Sequence, residues 1–175
     1  MARLYPILLF ALLILVLPVE SAGQYGQLGK LSELKIVVLP FSNYEKKLEL
    51  NEDNIKNQVF EFLRSKLSRI SVKESAIEGL NVIINLGENR LESGGKAGYN
   101  GLIDVRIYRL AKIKNNGLNT NVIVWSKGGS LAGPTSGGEA FIKEVLAQLL
   151  AQFAADWNKD NPRPVNPRAL NGDGK

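Results

Sequence analysis

Between residues 120 and 162 the hydrophobic pattern changes its period, and the rest of the chain reads as built around that change. Asn121-Val122-Ile123-Val124-Trp125 has the β-branched and aromatic content of a strand. Residues 126–138 are rich in glycine and read as a loop. Residues 139–158 then place Phe141, Ile142, Val145, Leu146, Leu149, Leu150, Phe153 and Trp157 on one face of a helix, with Lys143, Glu144, Gln148, Gln152 and Asp156 on the other. Such a helix needs a sheet for its apolar face to cover.

Earlier segments supply that sheet. Lys35-Ile36-Val37-Val38-Leu39-Pro40-Phe41 reads as a central strand with proline near its end. Asn51 caps a helix expected over 52–70, with Glu52 and Asp53 in its first turn and the stripe Ile55, Val59, Phe62, Leu63, Leu67, Ile70. Alternation predicts strands at 80–86 and 103–107, and Asn115-Asn116-Gly117 is a tight-turn signal leading to the strand at 120–126. The expected fold is therefore α+β: a single mixed four-stranded sheet in the order β-α-β-β-β-α, with both helices packed on one face.

The ends differ in kind. Arg3 precedes an apolar run from Ile7 to Leu17, then Pro18, Ser21, Ala22 and Gly23. A positive start, a short apolar core and small residues after a breaker describe a secretory signal peptide over residues 1–22; the run is shorter than the ~20 residues a membrane span requires. Residues 23–34 read as a flexible lead-in, 35–160 as the α+β domain, and 161–175 as a disordered tail rich in proline, glycine and asparagine. Cleavage of the signal would leave no stable membrane anchor.

Composition narrows the chemistry. The chain has no cysteine and no histidine. Disulfides, thiolate nucleophiles, Ser-His catalysis and imidazole metal sites are excluded, as is lipid attachment through an N-terminal cysteine. No cofactor or metal is expected. A net charge of +5 over 175 residues is mild. Arg106, Arg109, Lys112 and Lys114 with Tyr108 read as a solvated sheet edge, where lysines blunt strand pairing, and no nucleic-acid partner is expected.

Further patterns bear on chemistry. In Gly128-Gly129-Ser130-Leu131-Ala132-Gly133-Pro134-Thr135 the glycine spacing imitates a phosphate-binding loop, but Pro134 stands where the lysine must be. A weaker anion-binding reading uses Ser126, Lys127, Gly128, Gly129, Ser136 and Gly137, with backbone N–H groups at the helix start. The simpler reading is a capping box in which Ser136 caps the helix and Glu139 reaches back. Glu88, Glu92 and Asp104 are carboxylates, but no spacing brings them together for glycoside hydrolysis. Trp125 and Trp157 are expected in the core, and Asp104 and Arg106 are spaced to pair on one sheet face.

Val124-Trp125-Ser126-Lys127-Gly128-Gly129, the helix with Phe141-Ile142 and Phe153, and the ending Asp156-Trp157-Asn158 through Asn161-Pro162 resemble a group of small exported bacterial proteins of unassigned function. Val37-Val38-Leu39-Pro40-Phe41 followed by a helix is similar to small α+β domains of envelope assembly, such as the N-terminal domain of the Tol-system propeller protein and the curli-secretion lipoprotein. The resemblance implies no catalytic residues. The expectation is a periplasmic or secreted domain, not an enzyme, that binds an envelope or secreted macromolecule. The alternative is a small-ligand or anion binder using residues 128–138.

Overall fold

The computed structural model describes residues 27–42, 45–46, 48–90 and 96–163. The expected signal segment and all but the first three residues of the expected tail lie outside the described residues. The described elements are β1 (Glu33–Val38), α1 (Glu52–Lys66), β2 (Ser71–Val72), β3 (Gly79–Arg90), β4 (Lys96–Lys112), β5 (Asn119–Gly133) and α2 (Gly138–Asp160).

The fold is α+β with a mixed sheet and two helices, as expected, but the sheet has five strands rather than four, ordered β2-β1-β3-β4-β5. The unexpected strand is β2, which pairs parallel to β1 through Glu33↔Ser71 and Leu34↔Val72. It exists because α1 ends at Lys66, four residues sooner than its apolar stripe predicts. The Leu67 N–H closes the last turn on the Leu63 carbonyl, and Ser71 then donates to the Ser32 carbonyl. Two residues with one apolar side chain carry no periodicity to read.

β1 also pairs parallel to β3, and β3, β4 and β5 form an antiparallel meander. These last strands run far beyond their predicted lengths. Much of the glycine-rich stretch from 94 to 101 and most of 126–138 is strand. Glycine serves close approach here: a Cβ at Gly98 would strike the Gly133 carbonyl, and one at Gly101 would strike the Asn85 carbonyl. Glycine-rich sequence therefore marks tight strand contact as well as a loop.

Both helices cover one face. Ile55, Val59 and Leu63 of α1 and Ile142, Leu146, Leu150 and Phe153 of α2 are fully buried against Leu34, Ile36, Leu80, Val82, Ile103, Val105 and Ile107. Gln58 of α1 donates to the Lys143 carbonyl of α2, tying the two together at 2.8 Å. Trp125 meets Phe153 edge-on, centroids 5.3 Å apart, and its Nε1–H donates to Asp156. Phe141, assigned to the apolar stripe by its spacing, is exposed at 44%; it sits in the first turn, at the rim of the covered area.

The helix starts contrast. Asn51 Oδ1 accepts from the N–H groups of Asp53 and Asn54 and caps α1 as predicted. The capping box at α2 does not form. Gly137, at φ 76°, is the N-cap and offers no side chain, while Glu139 pairs with Lys143 at 2.6 Å. Ser136 lies one residue too early to reach the helical N–H groups.

The lead-in is not free where it is described. Leu28 and Leu31 are 1% exposed. Leu28 N–H donates to Asp160, Lys30 N–H donates to Asn161, and Trp157 Nε1–H donates to the Leu31 carbonyl. Arg69 stacks over the Trp157 ring, 4.6 Å from its centroid, and donates to the Asn161 carbonyl. The two apolar residues in a polar, glycine-rich stretch gave too short a pattern to show this docking.

At the opposite end, the connection from β1 to α1 is held by two glutamates. Glu52 accepts from Phe41 N–H at 2.7 Å. Glu45, 1% exposed, accepts from Leu86 N–H at 2.6 Å and from the Ser42 hydroxyl. A buried carboxylate is tolerated when donors saturate it.

Candidate interaction surface

With both helices on one side, the other side of the sheet has no covering layer among the described residues. β4 divides its side chains by strict alternation: Ile103, Val105 and Ile107 are buried under the helices, while Leu102, Asp104, Arg106, Tyr108 and Leu110 face out. Cross-strand partners extend this open face. Asn81 lies opposite Arg106 and Ile83 opposite Asp104 on β3; Ser126 lies opposite Arg106 and Ile123 opposite Tyr108 on β5.

A β-bulge shapes the patch. Ile107 pairs with Trp125 and Tyr108 with Ile123, leaving Val124 as the extra residue. In an unbroken strand Ile123 and Trp125 would share a face. The bulge puts Trp125 in the core at 1% exposure, packs Val124 partly against the same core, and turns Ile123 outward at 48%.

The centre of the face is polar and internally satisfied. Arg106 Nε and Nη2 donate to Asp104 Oδ2 at 2.7 and 2.6 Å, and the Ser126 hydroxyl donates to Oδ1 at 2.9 Å. Both carboxylate oxygens are thus engaged. The hydrogen bond to Asp104, and a second involving Tyr108, raise the Arg106 pKa above its ordinary value. As a guanidinium, Arg106 is charged with or without that shift. On the same face stand Leu102 at 46%, Ile123 at 48% and, further along β4, Leu110 at 45% exposure. Apolar groups on one face with a pre-paired charge form a surface that can lose water without leaving a charge unpaired.

The same geometry disfavours hydrolytic chemistry. Asp104 faces Ile83 and Gly128 across the strands, not a second acid. Glu88 is five residues along β3 from Ile83, roughly 17 Å away at strand spacing. Glu92 lies outside the described residues. No group of three or more acidic side chains among the described residues could hold a metal ion.

The residues singled out for anion binding do not converge. Ser126 and Gly128 stand on the open face; Lys127, opposite Val105, and Gly129, opposite Ile103, are on the helix side of the same strand. Ser136 and Gly137 lie beyond the end of β5, in a cleft of about 420 Å³ at the start of α2 that also contains Glu49 and Glu139. Two carboxylates beside the helix N-terminus oppose an anion there. Of the basic residues expected at a sheet edge, Arg106 lies between β3 and β5, whereas Arg109 and Lys112 lie past the start of β3, where β4 has no neighbour on that side, and Lys114 is in the turn. Arg109 is an internal clamp: it pairs with Glu78 at 2.6 Å and donates to the carbonyls of Gln27 and Gly29 at 3.0 Å.

No protein-family model matches the chain, and no curated protein sequence does. Solved structures show distant likeness. A dodecameric PelC variant from Paraburkholderia phytofirmans aligns over 74% of this chain and 87% of its own, with 12% identity and a TM-score of 0.38. Rare lipoprotein B from Shewanella oneidensis aligns over 74% and 92%, with 14% identity and a TM-score of 0.30. A minor lipoprotein from Acinetobacter baumannii aligns over 76% and 93%, with 9% identity and a TM-score of 0.28. At these scores the functional reading rests on the chain's own surface.

Proposed function

We propose that this protein is an exported, non-enzymatic domain that binds another envelope or secreted macromolecule through the open face of its sheet. The observation that carries the reading is the trio Leu102, Leu110 and Ile123, each nearly half exposed, on the same face as the closed Asp104–Arg106–Ser126 cluster. Export rests on the positive start and short apolar run of residues 1–22. A periplasmic or secreted location fits the signal-like segment and the absence of cysteine. Ser126 and Gly128 belong to this face as contact residues. The anion reading keeps only Lys127, Gly129, Ser136 and Gly137, which no common surface joins.

Photo-crosslinking in intact cells that make the protein tests the assignment. A crosslinker placed at Leu102 or Ile123 should trap one discrete partner. The same probe at Phe141, equally exposed on the helix side at 44%, should not. Equal trapping from both sides, or none from the open face, would rule the assignment out.

A further inference from the structure

The β4–β5 hairpin continues past the end of β3. β3 begins opposite Tyr108, so Arg109–Lys112 and Asn119–Val122 stand out as a two-stranded arm. Its tip is closed by Ile113 N–H to the Leu118 carbonyl and Gly117 N–H to the Ile113 carbonyl, both 2.8 Å. Gly117 takes the left-handed conformation this needs, at φ 71°. The tip thus holds Ile113, 40% exposed, beside Leu118, 62% exposed, with Lys112 and Lys114 flanking them. The tip sets two aliphatic side chains beside two ammonium groups.

The lead-in and the end of α2 meet beside this arm: Lys30 N–H and Arg69 donate to Asn161, Asp160 accepts from Leu28 N–H, and Glu78 pairs with Arg109. The charge peculiar to the tip is the pair Lys112 and Lys114. Arg109, which grips the Gln27 and Gly29 carbonyls, is four residues from Ile113, roughly 13 Å along the strand.

We infer that this end rests on an anionic lipid surface, with Ile113 and Leu118 entering the interfacial region and Lys112 and Lys114 meeting the headgroups. The contact is peripheral. No helix among the described residues is long and apolar enough to cross a membrane, and the tip provides two aliphatic side chains, not an anchor. It would hold the sheet edge-on to the bilayer and leave the open face free for its macromolecular partner.

Leu118→Trp in the exported chain, after removal of residues 1–22, supplies the probe, because the two native tryptophans are buried and give a constant background. On vesicles containing phosphatidylglycerol, the introduced indole should shift to shorter wavelength and be quenched by brominated lipid. Adding Lys112→Gln and Lys114→Gln should weaken partitioning roughly thirtyfold, at about fivefold per lysine. Absence of quenching with the fold intact by circular dichroism would overturn the inference. Equal quenching on purely phosphatidylcholine vesicles would overturn its anionic-lipid part.

Discussion

The two faces of this sheet are made from the same strands, residue by residue in alternation, yet they solve different problems. On the covered face, Ile103, Val105, Ile107 and Trp125 are removed from water by two helices. Their contribution scales with area and with close packing. On the open face, Leu102, Leu110 and Ile123 remain nearly half exposed alongside an ion pair that already satisfies itself. The first face determines whether the chain folds. The second contributes little to folding and is therefore available for recognition. The difference shows that an apolar residue in a strand is informative about function only once the side it faces is known.

Four substitutions probe this contrast, in decreasing order of effect on stability. Phe153→Ala, removing a fully buried ring that packs edge-on against Trp125, should cost about 3–5 kcal/mol in urea unfolding. A loss below about 1 kcal/mol would mean the covered face is not the main core. Asp104→Ala leaves Arg106 and the Ser126 hydroxyl without their acceptor, in a cluster that is only partly buried. The expected loss is about 1–2 kcal/mol, measured the same way. Leu102→Ser and Ile123→Thr should change stability by no more than about 0.5 kcal/mol while removing crosslinks to the partner. For Ile123 the measurement also tests the bulge: if the strand were unbroken, the residue would lie beside Trp125 in the core and its loss would cost several times more.

Much of the architecture is legible in the sequence because hydrophobic period reports secondary structure directly. The stripe Ile55, Val59, Leu63 and the alternation Ile103, Val105, Ile107 give α1 and β4 without reference to anything distant. Asn51 announces a cap that the structure contains, because an Asx side chain finds its donors two and three residues away. The paired Asp104 and Arg106 are legible for the same local reason. The structure differs from the sequence expectation at Ser136 and over 126–138 because the residue types there serve two purposes. Glycine permits a turn, and it also permits strands to approach where a Cβ would collide, as at Gly98 against Gly133.

By itself, then, the sequence determined the kinds and order of the main elements, an α+β class with both helices on one side, and the exclusion of cysteine and histidine chemistry. Those follow from periods and from an inventory, both of which are local. Only the tertiary structure decided that Ser71–Val72 adds a fifth strand, that Leu28 and Leu31 dock under Trp157 and Asn161, and that β5 rather than β4 forms the long edge. It alone decided that a bulge at Val124 sends Ile123 outward while Trp125 stays inside. Each of these depends on which distant backbone a short segment meets, and two or three residues carry no periodicity from which that meeting can be read.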